Sequence, residues 1–259
     1  MAGYQDILVE PGRIARIVLC RPAQRNAMTP RTMAELTHAF RTLDREPGVA
    51  VILLSGAGKG FCAGADLTGM ARGAGVLEDL AAKRHIMELL TAMGQISKVI
   101  VSQVHGFALA GGFGLVACSD LTVVSDDCKL GMPEIRRGLA PMNIMAPLSR
   151  CLPRKVLLEL MFTGGLIVPA RAAELGLVNR AVPAADLEAE ALGLAEAVAR
   201  NSTAALGLCK EAYYQMQDMD EQRAFHYLTD RLALNAMTED AQEGVAAFLE
   251  KRGPVWKDR

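Results

Sequence analysis

The 259-residue chain is short of the signatures that mark several functional classes. Its six cysteines (Cys20, Cys62, Cys118, Cys128, Cys151 and Cys209) show no C-x-x-C spacing, which points away from zinc and disulfide frameworks and toward reduced, buried thiols. Neither sign of charge is in excess. With 28 Lys+Arg against 29 Asp+Glu the net charge is -1, which gives no support to a nucleic-acid or anionic-membrane partner. No apolar run approaches the ~20 residues of a membrane span. The opening stretch, Met1 to Pro11, has no basic region followed by an apolar one, so no secretory leader is expected and a cytoplasmic location follows. Neither G-x-x-x-x-G-K-[ST] nor G-x-G-x-x-G occurs, so phosphate loops are excluded. The absence of G-x-S-x-G removes the serine-nucleophile elbow, and the absence of H-E-x-x-H leaves no metal site to assign. The four histidines (His38, His85, His105, His226) read as packing, surface or structural hydrogen-bonding residues.

What is present is a globular chain, 51% hydrophobic, too apolar to be disordered and long enough to bury a substantial core. Ile14 to Leu19 and Val49 to Leu54 are β-branched runs that read as buried strands. Between them Thr29 to Asp44 has helical spacing, with Thr29 as N-cap and Pro30 in the first helical position. Strand, helix, strand is the signature of a largely parallel sheet in an α/β protein. The pattern continues with a helix over Leu77 to Ile96, a strand over Val99 to Val104, a helix opening at Gly111 and a strand over Leu121 to Val124. The glycine-rich stretch 69–76 reads as a mobile loop. After about Pro141 strand-like runs nearly vanish and helices follow one another: 153–161, 169–175, 185–200, 203–216, 220–237 and 239–251. The expected organisation is an α/β core over 1–200 and a helical region over 201–259 that packs on the core or on a neighbouring subunit.

Two small turns stand out. Phe61-Cys62-Ala63-Gly64-Ala65-Asp66-Leu67 and Gly106-Phe107-Ala108-Leu109-Ala110-Gly111-Gly112 each follow a strand-like run. Side chains this small let bare backbone N–H groups approach a ligand. Two such groups converging on one point make an oxyanion hole. In Gly131-Met132-Pro133-Glu134-Ile135, Pro133 cannot sit inside a helix, so Glu134 lies at a turn or helix start. It reads either as a solvated first-turn carboxylate favoured by the helix dipole or, among apolar neighbours, as a general acid/base with a raised pKa. Arg21 and Arg25, and Phe248 with Lys251 and Arg252, read either as ordinary surface charge or as contacts to a ligand bearing phosphate and adenine.

Together these pieces resemble the enoyl-CoA hydratase/isomerase (crotonase) superfamily. The resemblance spans nearly the whole chain, from Arg21-Pro22 and Asn26-Ala27, through both turns, Ser119-Asp120 and Pro133-Glu134, to Ala173–Asn179 and Ala247–Arg252. It implies a ββα spiral core with a C-terminal helical trimerisation region, acting in fatty acid metabolism as a homotrimer or dimer of trimers. The substrate would be an acyl-CoA thioester; coenzyme A belongs to that substrate, and no separate cofactor is implied. By position, the Ala65 and Gly111 amides would hold the thioester oxygen. Ala63, Asp66, Leu67 and Arg25 would line the coenzyme A channel. Phe248 and Lys251 of a neighbouring subunit would close on the adenosine end. Glu134 matches one of the two glutamates of typical hydratases.

The second glutamate falls on Gly114, and Pro141-Met142-Asn143-Ile144 replaces the glycine-rich run often found after Glu134. Two-carboxylate hydration is therefore unavailable at the usual positions. One carboxylate can still activate water for addition to Cβ and return a proton to Cα. It can equally move a proton between two carbons, as a Δ3,Δ2-enoyl-CoA isomerase does. Hydration is the preferred expectation, because Pro133-Glu134-Ile135, Gly138 to Pro141 and Gly114 also resemble hydratases of the methylglutaconyl-CoA type. Isomerisation is the first alternative and a catalytically weak acyl-CoA-binding relative the second.

Overall fold

The computed structural model describes residues 3–68 and 76–259. The stretch read as a mobile loop lies outside them except for Val76, which opens a helix. Five parallel strands and one antiparallel edge strand form the main sheet, in the order β1 (Ile7–Glu10), β2 (Ile14–Leu19), β3 (Val51–Gly56), β4 (Val99–Val104), β6 (Leu121–Ser125), β9 (Arg180–Val182), with β1 antiparallel to β2. A second sheet joins β5 (Phe107–Leu109), β7 (Lys129–Gly131) and β8 (Leu166–Ile167).

The central strands are apolar on both sides because both sides are covered. Along β3, Ile52 and Leu54 face the core shared with helices α1 (Pro30–Asp44) and α2 (Val76–Gln95), where Leu36, Phe40, Leu89 and Met93 are fully buried. The alternate residues Val51 and Leu53 face α7 (Leu187–Ala199), which presents Leu187, Ala191, Ala195 and Ala199 to the sheet. Each fully buried large side chain contributes ~1.5–3 kcal/mol. Helix α1 starts where its capping residues dictate: Thr29 Oγ1 accepts from Thr32 N at 3.1 Å, and Thr32 Oγ1 accepts from Thr29 N at 3.1 Å. Such a cap contributes about 1 kcal/mol.

The remaining helices are α3 (Gly111–Cys118), α4 (Met142–Cys151), α5 (Arg154–Thr163), α6 (Pro169–Glu174), α8 (Thr203–Met216), α9 (Glu221–Ala236) and α10 (Glu239–Leu249). Helix α4 is an addition to the sequence-based expectation, since Pro147 within it masks its helical spacing. The short strands β1, β5, β7, β8 and β9 are likewise additions. Helix α8 anchors the C-terminal region through a buried ion pair: Lys210 Nζ lies 2.7 Å from Asp120 Oδ2 and donates to the Lys98 carbonyl at 2.9 Å. Helix α9 has no fully buried residue. No described helix is long and apolar enough to cross a membrane. All six cysteines are free, but Cys20 and Cys209 are exposed, which corrects the expectation that the thiols are uniformly buried.

Candidate active site

Strands β2, β3, β4 and β6 run parallel, so the segments following them leave from one edge of the sheet. The segment after β3 is clamped from both sides. On one side Phe61 N donates to His105 O at 3.0 Å, Cys62 N to Phe107 O at 3.1 Å, and Leu109 N to Cys62 O at 2.9 Å. On the other, Ala63 N donates to Arg25 O at 3.1 Å, Met28 N to Gly64 O at 2.8 Å, and Asp66 N to Met28 O at 2.9 Å. Gly64 O and Asp66 N thus face Met28. In extended backbone, successive residues direct their polar groups to opposite sides, so Ala65 N–H points away from Met28.

Gly111 lies beside it. A Cβ placed on Gly111 would sit 3.6 Å from Ala65 N. Ala110 N is held by Gly131 O at 2.9 Å, and Ala110 itself adopts φ 51°, ψ -124° before α3 begins. That backbone state costs a non-glycine residue roughly 1–3 kcal/mol and is characteristic of functional turns. Gly111 N–H is a first-turn donor with no intrahelical acceptor, at the positive end of the helix dipole. Neither Ala65 N–H nor Gly111 N–H has an acceptor among the described residues. Gly64 is what allows this closeness. At φ +102°, a Cβ there would stand 2.6 Å from Ala110 Cβ and 3.2 Å from Gly111 N.

Glu134 sits in a 3₁₀ turn, Pro133–Arg137, three residues beyond the Gly131 carbonyl that holds Ala110. Chain geometry keeps it within ~11 Å of that anchor. Its Oε2 is buried without a hydrogen-bond partner among the described residues. Burial pushes the Glu134 carboxyl above the usual carboxylate range, against the opposing pull of a backbone hydrogen bond and of Arg137. Where a second carboxylate would arise there is hydrocarbon. A Cβ on Gly114 would lie 2.4 Å from Ile144 Cγ2 and 3.7 Å from Leu90 Cδ1.

The other sequence candidates are placed as follows. Asp66 accepts from Thr68 N at 3.0 Å and Thr68 Oγ1 at 2.6 Å, and from both Arg21 terminal nitrogens at 3.3 Å. These bonds, Thr68 first, hold its carboxyl below the usual range. Its side chain and its backbone N–H are thus both engaged within the protein. Ala63 is half-buried, and Leu67 and Arg25 are exposed beside the same segment. Phe248 and Lys251 are exposed at the end of α10, Phe248 at 81%. His105 Nε2 pairs with Gly58 O at 2.9 Å, the structural role expected of it. Sequence reasoning missed the strained Ala110, the filling of the Gly114 space by Ile144 and the internal bonding of Arg21. Each depends on a contact between distant segments, which local pattern does not carry.

A family model described as enoyl-CoA hydratase/isomerase matches residues 10–259. The chain belongs to that family. It is 32% identical over 258 residues to the carnitinyl-CoA dehydratase of Escherichia coli, covering 97% of this chain and 98% of that protein. It is 34% identical over 254 residues to the mevalonyl-coenzyme A hydratase of Aspergillus fumigatus, covering 94% and 91%. The crystal structure of an enoyl-CoA hydratase from Mycobacterium smegmatis superposes with a TM-score of 0.94 at 31% identity, covering 97% of this chain and 99% of that one. The protein is therefore an acyl-CoA enzyme of the crotonase fold with a helical C-terminal region.

Proposed function

We propose that this family member hydrates the Cα=Cβ double bond of an enoyl-CoA thioester, reversibly, with Glu134 as its one proton-transfer group. The observation that carries the reading is a set of unengaged groups: the Ala65 and Gly111 amides and the Oε2 of Glu134, which lies three residues beyond the carbonyl that holds Ala110. The two amides hold the thioester carbonyl oxygen. Ionised Glu134 takes a proton from water as the water oxygen bonds to Cβ. The π electrons move toward the thioester, and the negative charge that develops on the carbonyl oxygen is met by the two N–H groups. Each hole donor of this type contributes ~10²–10³ in rate. Glu134, now protonated, delivers its proton to Cα, and the 3-hydroxyacyl thioester leaves. A raised pKa serves both halves of the cycle, making the anion a stronger base toward water.

Coenzyme A enters as part of the substrate, and no separate cofactor takes part. Ala63, Asp66, Leu67 and Arg25 line its channel, while Phe248 and Lys251 reach the adenosine end of a neighbouring subunit's site. The support for assembly is the exposed apolar run of the last helices, with Phe225, Leu232, Met237, Phe248 and Leu249 each more than half exposed. A surface of this kind is covered in a trimer or a dimer of trimers.

A second reading, Δ3,Δ2-isomerisation, is favoured by the Ile144 wall at Gly114, because no second polar side chain is there to hold a water. Incubation with crotonyl-CoA and 3-hexenoyl-CoA in H₂¹⁸O separates the two. Label in a 3-hydroxy product is the expected result. A shifted double bond without label would replace hydration by isomerisation, and tight binding without turnover would leave a binding relative.

A further inference from the structure

The amide of Ala65 does not stand alone. The guanidinium Nη1 of Arg21 donates to the carbonyl of Ala27. That carbonyl belongs to the same planar peptide unit as Met28 N–H. Met28 N–H donates to Gly64 O at 2.8 Å, and Gly64 O shares its peptide unit with Ala65 N–H. The groups therefore form one series, joined at Gly64 O by a longer contact from Cys62 Sγ at 3.9 Å. It runs from the guanidinium through the 27–28 peptide and the 64–65 peptide to the open N–H of the hole. In a trans peptide the N–H points opposite to the C=O, so each bond in the series fixes the direction of the next donor.

Arg21 is held in turn. Its terminal nitrogens reach Asp66 Oδ2 at 3.3 Å, and its Nε lies 3.8 Å from Asp6 Oδ1. Side-chain exposures of 17% for Arg21, 13% for Asp66 and 3% for Asp6 place these charges largely out of water, where they act on neighbouring dipoles with little screening. Asp6 also accepts from Arg31 at 2.7 Å and Thr32 Oγ1 at 2.6 Å, which ties the group to the start of α1.

We propose that Arg21 is a positioning residue for catalysis, orienting and polarising the Ala65 amide through two peptide groups in series. The proposal rests on the reading of Ala65 as a hole donor. Hydrogen bonds in series strengthen one another by ~10–30% per bond. Loss of the cation should therefore weaken the donor without deleting it, a smaller effect than the ~10²–10³ of losing a donor outright.

The test is the infrared stretch of a ¹³C-labelled thioester carbonyl in a bound, unreactive acyl-CoA, recorded beside kcat and KM. Hydrogen bonding to the oxygen lowers that frequency. Wild type should show the downshift. R21Q should show a smaller downshift and a kcat lower by ~10-fold, with KM changed less, and R21K should fall between the two. A folded R21Q with the full downshift would overturn the proposal while leaving the hole intact. Absence of the downshift in wild type would instead overturn the hole itself. If R21Q does not fold, replacing Met28 by its α-hydroxy acid decides the matter. This removes the one N–H joining the two peptides and no side-chain atom, so a reduced downshift supports the series and an unchanged one refutes it.

Discussion

Gly64→Ala tests the proposed oxyanion hole where its two turns approach most closely. The added Cβ would lie 2.6 Å from Ala110 Cβ, 2.9 Å from Leu109 O and 3.2 Å from Gly111 N. Carbon atoms rest ~3.5–4.0 Å apart, so the two turns must separate by about 1 Å. Displacement of that size around a reacting group costs ~10²-fold in rate. Overpacking and the positive φ together destabilise the fold by about 1–3 kcal/mol, a Tm lower by several degrees for a chain of this size. The expected outcome is a folded enzyme whose kcat falls ~10²-fold while acyl-CoA binding persists. Decay of the conjugated enoyl-thioester absorbance gives the rate, and thermal melting gives the stability. Gly176→Ala is the control, because Gly176 has φ +79° but a Cβ there meets nothing within 4 Å. That variant should lose stability and keep its rate. A folded Gly64→Ala enzyme with kcat within ~3-fold of wild type would refute the convergence of the two amides.

Glu134→Gln should lower kcat by ~10²–10⁴ and leave acyl-CoA binding largely intact, as read by turnover and calorimetry. The same variant reports linkage. Burial raises the folded pKa of Glu134 above its ordinary 4.5, so its contribution to stability is full below that value and lost as pH rises through the folded pKa. The Tm advantage of Glu134→Gln over wild type should therefore grow between pH 4 and pH 8, and an advantage independent of pH would contradict burial of the charge. Gly114→Ala should cost ~1–3 kcal/mol through its clash with Ile144, and Ile144→Ala ~2–5 kcal/mol. Denaturant melts of the double variant should show a deficit well below the sum, since each change relieves the other. Lys210→Met leaves Asp120 without its cation and should cost ~3–5 kcal/mol in the same assay. Phe248→Asp with Met237→Asp should reduce the assembly seen by sedimentation and raise KM for the acyl-CoA more than it lowers kcat.

Much of the fold was legible because local rules coincide with the final structure. Thr29 and Pro30 marked the start of α1 to the residue, and the β-branched runs marked β2, β3, β4 and β6. Helix α4 was not legible, since Pro147 lies inside it and its first turn reads as a loop. Strands β8 and β9, of two and three residues, exist only because β7 and β6 offer them partners. At the site, the small turns and Glu134 stand out by composition and by resemblance. The conformation of Ala110 does not, because an alanine gives no local sign of φ 51°. Nor does the role of Ile144, thirty residues from the glycine whose space it fills.

Parallel pairing explains why these separate pieces meet. Strands β2 and β3 end on one edge of the main sheet, ahead of Arg21 and Ala65, while β5 and β7 pair in parallel in the second sheet and end together ahead of Gly111 and Glu134, where Ala110 N donates to Gly131 O. The pieces are then fixed by backbone rather than by flexible side chains. Met28 faces the 64–66 segment from one side, and Gly131 holds Ala110 from the other. Backbone donors lose little entropy when a charge develops before them, and they cannot swing away as a lysine or an asparagine can. In the proposed hydration the one flexible participant is Glu134, which would have to move protons between two positions. On that proposal the site tolerates a hydrocarbon wall at Gly114, because the enolate oxygen would be stabilised by amides and only a single carboxylate would carry hydrogen. In the proposed reaction the acyl group would be bounded beside Gly114 by Ile144 and Leu90, whose shape would then set specificity among enoyl thioesters. Trimming that wall with Ile144→Val should shift kcat/KM toward bulkier acyl groups while the Glu134 pH profile stays in place. A moved profile would mean that Ile144 acts on the carboxyl itself.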